Sequence, residues 1–439
     1  MKSIKTIIML VLGCICLPAP AQKYVGGDIS CLPIYENAGS VYADHDGKVI
    51  TSPLSFFKDI GLNAMRVRLF VNPSGYTTDS QSPSERKSDT NVCQDLAWVT
   101  ALGKRIKEQG MKFLLDFHYS DTWADPGKQW TPDAWASLDD TGLQKQLYDY
   151  TKTVLETLKA NGAEPDLIQT GNEISYGMLW GSNTTVGSSS VNRCYPSSTT
   201  SYWDRFAGLL KQAIAACRAE CSQAKIILHV ERVSTSQQSD NANYAALTNF
   251  FQKMADYGID YDVIGLSYYP YFHGSLNDLD GAIHAMEVHH PDKQIMIVET
   301  GYPYAWEVGG STYDYTGTYP YSDAGQKAFT DDLITLLNKH EKVTGLFWWW
   351  MEYNAYPYSS TKLSGWYNAP LFDSNTGRAT SALSALKDFL NTSSGISQLP
   401  ATSSSKIDDT WYTLSGSKVR KPTQRGIYIH QGKKTFKKD

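Results

Sequence analysis

The sequence has little of what marks membrane, disordered or nucleic-acid-binding proteins. Its 439 residues are 19% charged with a formal net charge of -5, so there is no excess of basic side chains to attract nucleic acid or anionic lipid. Hydrophobic residues make up 41% of the chain, which is enough to bury a substantial core. We therefore expect a globular protein whose partner is neutral rather than polyanionic.

Cysteine is also scarce. Seven cysteines are present, and two of them, Cys14 and Cys16, lie in the N-terminal apolar segment. The others are Cys31, Cys93, Cys194, Cys217 and Cys221. Because their number is odd and no spacing is repeated, they predict neither a disulfide framework nor a zinc site.

The N-terminus has the features of a secretory signal. Lys2 and Lys5 precede an apolar run from Ile7 to Leu17, and small residues follow up to Ala21. We expect residues 1–21 to be a signal peptide and the protein to be exported to the cell surface, the periplasm or the medium. The apolar run is short for a membrane anchor. A second interpretation takes Cys14 as a lipidation site that tethers the protein to an envelope membrane.

Residues 22–391 alternate short apolar runs with longer amphipathic segments, and they do so eight times. The first long segment begins at Ser52-Pro53 and ends at Gly61, and the next runs from Asp95 to Gln109. This repeat predicts an α/β fold, the (β/α)8 TIM barrel, whose functional residues lie at the carboxyl ends of the strands. A doubly wound open sheet is the competing architecture, but no glycine-rich phosphate loop follows the first strand. The strand candidates are YVGGDIS, NAMRVRLF, KFLLDFH, LIQTGN, KIILHVE, VIGLSYY, IMIVET and GLFWWW.

The C-terminal segment differs in composition from the rest. Residues 392–408 are rich in serine and threonine and predict a linker. Residues 409–439 contain short alternating runs around Ser415-Gly416 and Arg425-Gly426, which predict a small β-hairpin appendage. Its terminal lysines are interpreted as a solvated tail, with a sorting or surface-contact patch as the alternative.

Two glutamates follow predicted strands at the face where a barrel carries its chemistry. Glu173 comes after the fourth strand in Gly171-Asn172-Glu173, and Glu299 ends the seventh. Either carboxylate alone has a structural explanation, such as a salt bridge or a helix cap. A pair on different strands, surrounded by aromatic residues, is typical of glycoside hydrolysis, which needs one proton donor and one ionised carboxylate.

Six ordered segments resemble the endo-β-1,4-galactanases of glycoside hydrolase family 53. They cover the whole predicted barrel, which makes the resemblance specific. The segments are GGDIS, GLNAMRVRLFVNP, LLDFHYSDTWADPGKQWTPDAW, QTGNEISYGMLW, GLSYYPYF and VETGYP.

The resemblance implies a role for each residue of the site. Glu173 would be the acid/base and Glu299 the nucleophile of a retaining mechanism. Asn172 would hydrogen-bond the sugar 2-hydroxyl, and Arg66 would keep Glu299 ionised. Arg68 lies on the same face of its strand, and its role is less defined.

Further residues would shape the sugar-binding cleft. His118, Asp121 and Trp123 resemble the sugar-binding wall of the family, whereas Asp28 and Tyr268 would complete the floor. The family places Trp349 beneath the reacting sugar. Alternation along the eighth strand turns Trp348 and Trp350 the other way, toward the core or the helices.

Some segments depart from the family pattern. The fifth strand ends in Glu231-Arg232, which leaves the sugar contacts there in doubt, and the last strand continues as FWWWMEYN. The loop after the seventh strand lacks the alternating Asp, His and Asn residues with which some bacterial members bind calcium. We therefore predict no metal and no cofactor.

The leading hypothesis is a monomeric, retaining endo-hydrolase of β-1,4-galactan in pectin side chains, with no nucleic-acid partner. One alternative is a mannanase, xylanase or glucanase of the same clan. Another is a surface glycan-binding protein without catalysis, which retention of both glutamates, Asn172 and Arg66 argues against.

Overall fold

The computed structural model describes residues 21–73, 76–77, 87–181, 192–194, 200–233, 244–357 and 369–391, and four short strands between residues 411 and 437. The predicted signal, apart from its last residue, and the predicted linker lie outside the described residues. Within the described part, no helix combines the length and apolarity needed to span a membrane. Cysteines 31, 93, 194, 217 and 221 are all free thiols.

Eight parallel strands close into a barrel. Each strand pairs with its neighbours in sequence, and the first pairs with the last. The strands are almost entirely buried, because helices and connecting loops cover the outer face. The predicted (β/α)8 barrel is confirmed. In chain order the strands are β1 Tyr24–Asp28, β2 Ala64–Leu69, β3 Lys112–Phe117, β4 Leu167–Thr170, β5 Lys225–Val230, β6 Val263–Tyr268, β7 Gln294–Thr300 and β8 Val343–Trp348.

Helices connect the strands. The start of the helix Leu96–Glu108 is fixed by Asp95, whose side chain accepts a hydrogen bond from the Trp98 N–H. Pro53 takes the first turn of the helix Pro53–Asp59, where its missing N–H costs nothing. The helices are α1 Leu32–Ala38, α2 Pro53–Asp59, α3 Leu96–Glu108, α4 Asp140–Ala160, α5 Thr200–Glu220, α6 Ala245–Asp256, α7 Pro270–His273, α8 Leu276–His289, α9 Asp323–Leu337 and α10 Ser381–Ala385. Short 3₁₀ turns span Asp133–Trp135, Ile174–Tyr176 and Leu386–Leu390, and two-residue strands pair Tyr42–Ala43 with Val49–Ile50 and Tyr76–Thr77 with Lys87–Ser88.

The barrel interior changes from apolar to polar along the strands. One apolar cluster fills the barrel interior, with members on every strand. Because side chains alternate between the two faces of a strand, the residue two positions after a member of this cluster also points into the interior. These positions include Arg66, Asp116, Gln169 and His229, all fully buried. A layer of polar groups therefore lies between the apolar core and the carboxyl ends. The apolar cluster consists of Tyr24, Ala64, Leu114, Leu167, Ile227, Val263, Met296, Val298 and Phe347.

The chain divides into two units, residues 1–392 and 393–439. In the second unit, β9 Trp411–Tyr412, β10 Lys418–Val419, β11 Gly426–His430 and β12 Lys433–Lys437 form an antiparallel sheet in the order β10-β9-β11-β12. The appendage is therefore β-rich as predicted, but it is a four-stranded sheet rather than a single hairpin.

Candidate active site

A cavity of ≈ 550 Å³ opens at the carboxyl ends of the strands. Its size is in the range of small-ligand sites, and its position is the one where barrel enzymes carry their functional groups. Both predicted glutamates line it. The lining residues are His118, Trp123, Ala124, Asp125, Pro126, Lys128, Asn172, Glu173, Tyr176, Glu231, Arg232, Tyr269, Phe272, His273, Glu299, Thr312 and Trp349.

Glu173 is brought into the cavity by a tight turn after β4. Gly171 has φ +100, and a Cβ there would lie 2.6 Å from Cγ2 of Ile174, so the turn requires glycine. Glu173 itself has φ 46 and ψ 56, a left-handed conformation that costs a residue with a side chain about 1–3 kcal/mol. Strain of this kind persists where the surrounding structure fixes the direction of a functional side chain.

Glu299 reaches the cavity because the pairing of β7 is irregular beside it. Val298 lies in the barrel interior, so strict alternation would turn the Glu299 side chain toward the helices. The register of β7 shifts between Ile297 and Glu299 against β6, and between Ile297 and Thr300 against β8. Such irregularities re-aim side chains near active sites. Glu299 is 4% exposed and lines the cavity.

Arg66 on β2 is a buried cation that links the acidic groups of the site. Its guanidinium lies 2.9 Å from Oε1 of Glu299, 2.7 Å from Oδ2 of Asp116 and 3.0 Å from Oδ2 of Asp28. It also donates to Oδ1 of Asn172 at 3.0 Å. Since a buried guanidinium needs several acceptors to offset its desolvation, these contacts hold the ends of β1, β2, β3, β4 and β7 in one arrangement.

Arg68 supports the aromatic side of the site from below. Its Nη1 lies 3.1 Å from Oδ1 of Asp28. Its guanidinium carbon lies 4.5 Å from the ring centroid of Trp123, 5.5 Å from that of Trp349 and 5.2 Å from that of Trp350. Cation–π contacts of this kind orient the rings, so Arg68 positions the walls of the cavity without lining it.

The two glutamates differ in their electrostatic surroundings. Burial raises the pKa of Glu299 to about 7, opposed by Arg66 and by the Tyr269 hydroxyl, which donates to Oε2 at 3.0 Å. The effect of Arg66 thus has the expected sign, but burial outweighs it. Burial, followed by the charges of Glu299 and Glu231, raises the pKa of Glu173 well above its usual range. Arg66 lies against Glu299, whereas the charge of Glu299 opposes ionisation of Glu173. This arrangement favours the negative charge on Glu299 and the proton on Glu173, the division that an acid and a nucleophile require.

The separation of the two carboxyl groups bears on the stereochemistry. One carboxylate oxygen of Glu173 and one of Glu299 lie within 4.8 Å of each other. Retaining glycosidases have carboxyl groups ~5–5.5 Å apart, whereas inverting enzymes leave ~6.5–9.5 Å for a water molecule. Carboxylate oxygens this close are compatible with the retaining arrangement.

His118 and Trp123 form one wall of the cavity. His118 Nδ1 accepts a hydrogen bond from the Ala124 N–H at 3.0 Å, and its Nε2 lies 3.2 Å from Oδ2 of Asp116. Burial lowers the pKa of His118 against the opposing charge of Asp116, so the imidazole is neutral. The ring centroid of Trp123 lies 6.2 Å from that of Trp349, and this pair offers the apolar surface that a pyranose ring requires.

The three consecutive tryptophans after Phe347 have different surroundings. Trp349 lines the cavity. Trp348 is fully buried and donates its Nε1–H to the Ala369 carbonyl at 2.7 Å. Trp350 donates to the Tyr35 hydroxyl at 2.9 Å. Of the three, Trp349 alone lines the cavity, but β8 ends at Trp348 and Trp350 has φ 51, so the alternation of a strand does not explain the placement of Trp350.

Tyr268 does not belong to the floor of the cavity. It lies on the opposite face of β6 from the interior residue Val263, and its hydroxyl donates to the Gly274 carbonyl at 3.0 Å. The next residue, Tyr269, shares the interior face and takes the place expected for Tyr268. The sequence offers two adjacent tyrosines, and only the phase of the strand distinguishes them.

Asp28 and Asp121 are also absent from the cavity lining. Asp28 is fully buried and binds the two arginines of β2 from below. Asp121 accepts a hydrogen bond from the Asp133 N–H at 2.9 Å through Oδ2, which fixes the long loop after β3. Both residues support the site rather than face a substrate.

Ser267 and His229 were not identified from the sequence. Ser267 donates to Oε1 of Glu173 at 2.7 Å, and His229 Nε2 lies 2.7 Å from Oγ of Ser267. Both are fully buried. The alternation that places Tyr269 inward also places Ser267 inward. Once the phase of β6 is known, the sequence therefore indicates that Ser267 faces the site.

The residues after β5, left in doubt by the sequence, do line the cavity. Oε1 of Glu231 accepts from Oγ of Ser175 at 2.7 Å and lies 3.2 Å from Nε of Arg232. The guanidinium carbon of Arg232 lies 4.4 Å from the ring centroid of Tyr176. These groups form a polar and aromatic wall beside Glu173.

A set of metal-ligating atoms occurs in the site, from Glu173, His229 and Glu299, all within 4.8 Å of one another. Arg66 already neutralises Glu299, and both ring nitrogens of His229 have hydrogen-bonding neighbours. A bound cation would have to displace these contacts. The prediction that the protein uses no metal stays a prediction.

Comparison with known proteins identifies the family. The sequence model of glycosyl hydrolase family 53 matches residues 24–386, which is the whole barrel. The chain belongs to this family. It is 35% identical over 383 residues to an arabinogalactan endo-beta-1,4-galactanase from Cellvibrio japonicus, with 84% of this chain and 89% of the relative covered.

Solved structures agree with this membership. The family-53 catalytic domain of Ignisphaera aggregans superposes with a TM-score of 0.67 at 30% identity, covering 84% of this chain and 96% of that one. A structure of fungal beta-1,4-galactanases gives a TM-score of 0.66 at 26% identity, covering 84% and 99%. A xylanase from Cellvibrio japonicus reaches 0.52 at 14% identity, covering 84% and 98%, and therefore shares the fold alone.

Proposed function

We propose that this protein is an endo-acting, retaining glycosidase that cleaves β-1,4-galactosidic bonds in galactan and arabinogalactan side chains of pectin. The carrying observation is the pair Glu173 and Glu299, with oxygens within 4.8 Å in the cavity of a family-53 barrel. The similar proteins of known activity are endo-β-1,4-galactanases. The neutral polymer suits a cavity that combines aromatic rings with hydrogen-bonding groups.

In the first step Glu299 attacks the anomeric carbon while Glu173 protonates the glycosidic oxygen. Arg66 and the Tyr269 hydroxyl hold Glu299 in place and stabilise its ionised form. The C1–O bond to the leaving sugar breaks, a glycosyl–Glu299 ester forms, and the proton of Glu173 moves to the departing hydroxyl.

In the second step Glu173 acts as a base. Burial raises the pKa of Glu173, and the charge of Glu299 raises it further. Once Glu299 is esterified it carries no charge, so this second contribution disappears and the pKa of Glu173 falls. Glu173 then removes a proton from a water molecule, whose oxygen attacks the anomeric carbon and releases Glu299. The two inversions give net retention.

A side-by-side digest tests the substrate. The purified protein should release short oligosaccharides from β-1,4-galactan and little or no reducing sugar from mannan, xylan or carboxymethylcellulose. A drop in viscosity early in the reaction shows internal cleavage. Faster hydrolysis of one of the other polymers would support the alternative within the clan, and tight galactan binding without product release would support a non-catalytic role.

We further propose that the protein is exported, with residues 1–21 removed. Support for export comes from the signal-like segment alone. Mass spectrometry of the protein isolated from its host should give a mature chain that begins near Gln22. A chain that begins at an acylated Cys14 would instead establish the envelope tether.

A further inference from the structure

A hydrogen-bonded chain runs from β5 through β6 to the turn after β4 and ends on the acid/base glutamate. His229 on β5 faces Ser267 on β6, with 2.7 Å between Nε2 and Oγ. Ser267 in turn donates to Oε1 of Glu173 at 2.7 Å. His229 and Ser267 are both fully buried, so water does not compete for these hydrogen bonds.

Two donors determine the tautomer of His229. The amide Nε2 of Gln169 lies 2.9 Å from Nδ1, and the backbone N–H of Glu173 lies 3.3 Å from the same atom. The side-chain amide of Gln169 must turn its NH₂ group toward His229, because the same nitrogen also donates to the carboxylate of Asp116 and a carboxylate only accepts. Nδ1 is therefore the acceptor.

The protonation state follows from burial. Burial lowers the pKa of His229 well below its usual range, and the charge of Arg66 acts in the same direction, so the ring carries one proton. With Nδ1 as acceptor, that proton is on Nε2 and is donated to Ser267. Oδ1 of Asn172 also lies 3.1 Å from Nδ1. This contact does not require a proton on Nδ1, because Oδ1 already accepts a hydrogen bond from Arg66 at 3.0 Å.

We propose that His229 and Ser267 are positioning residues that reserve Oε1 of Glu173 as an acceptor and so place the transferable proton on Oε2. Because Nε2–H of His229 donates to Oγ of Ser267, the Ser267 hydroxyl does not donate to His229. Its proton is therefore available to Oε1 of Glu173. A carboxyl group whose Oε1 accepts a hydrogen bond carries its own proton on the other oxygen. This inference rests on the proposed acid/base role of Glu173.

The arrangement serves both steps of the reaction. Before cleavage, Ser267 selects the oxygen that holds the proton, and after proton transfer the same donor stabilises the carboxylate. It does so without adding a charge beside Glu299. A lysine or arginine in this place would lower the pKa of Glu173 and reduce the fraction that holds a proton.

Replacing Ser267 with alanine tests the proposal through the leaving group. On galactan, kcat/KM should fall about 10- to 100-fold, the effect of one hydrogen bond to a charged group. On 2,4-dinitrophenyl β-galactobioside, kcat/KM should change less than about 2-fold, because this leaving group departs without protonation. Equal losses on both substrates would overturn the proposal, since a structural defect affects both.

Two substitutions of His229 form a matched pair. His229→Gln places an N–H near the position of Nε2 and should keep much of the galactan activity. His229→Asn retains a polar group near Nδ1 but does not reach Ser267, so it should show the same leaving-group dependence as Ser267→Ala. Equal galactan activity in His229→Asn and His229→Gln would refute the proposed hydrogen-bonded chain. So would ¹⁵N NMR that shows the proton of His229 on Nδ1.

Two further variants separate the possible failures. Glu173→Ala shows how large the leaving-group effect is when the acid itself is removed. If its kcat/KM falls equally on galactan and on the dinitrophenyl substrate, the acid/base assignment itself is wrong. Ser381→Ala removes a serine hydroxyl that donates to Asp323 on another part of the barrel, and it should change neither substrate. Should Ser267→Ala fail to fold, Ser267→Thr, which keeps the hydroxyl, and His229→Asn still decide the question.

Discussion

Glu299→Gln should lower kcat on galactan by at least about 10⁴-fold, which corresponds to about 5 kcal/mol of transition-state stabilisation. The amide has nearly the shape of the carboxylate but is not a nucleophile, so no glycosyl ester forms. Arg66 also loses one of its three carboxylate partners. The measurement is the release of reducing sugar from galactan, with the thermal midpoint recorded to verify folding.

The smaller variant Glu299→Ala identifies the face of attack. Added azide should occupy the vacated space and displace the leaving group directly, giving an α-galactosyl azide.

Removing the charge of residue 299 in Glu299→Gln should also lower the pKa of Glu173, since burial and then repulsion from Glu299 raise it in the native protein. ¹³C NMR of the Glu173 carboxyl group measures this shift. The exposed Glu341 provides a control, and Glu341→Gln should retain full activity. Comparable activity in Glu299→Gln and Glu341→Gln would exclude the mechanism.

Glu173→Ala should lower kcat/KM on galactan by about 10²- to 10⁴-fold, the usual contribution of general acid catalysis. The reason is that a sugar hydroxyl is a poor leaving group without a proton. With 2,4-dinitrophenyl β-galactobioside, kcat/KM should remain close to that of the native protein. Because no base then activates water, the glycosyl ester should accumulate and give a burst of dinitrophenol.

The product formed with azide distinguishes the two glutamates. In Glu173→Ala, azide should attack the glycosyl ester from the side that water normally uses and give a β-galactosyl azide. An α-product would mean that the roles of Glu173 and Glu299 are exchanged. Asp125 also lines the cavity, and Asp125→Ala, which should give no burst, serves as the matched control.

The barrel was predictable because each of its units has local signals. The buried strands are continuous apolar runs, and the first helices have recognisable starts at Pro53 and Asp95. Helix α1 was missed, since Leu32–Ala38 is short and directly follows the first strand. The appendage was underestimated for a similar reason: strands of two residues, such as Trp411–Tyr412, have too little pattern to be predicted.

The sequence by itself determined the fold and the family, and it predicted that Glu173 and Glu299 share one site, because these features depend on local periodicity and on motifs that are contiguous in the chain. The tertiary structure decided how the site is assembled. Glu299 faces the cavity through an irregularity in the pairing of β7, and Tyr269 rather than Tyr268 faces inward because of the phase of β6. The chain from His229 to Glu173 joins residues on β5 and β6 to the turn after β4. Strand register and contacts between distant strands are set by the closure of the barrel, and a single sequence does not encode them locally.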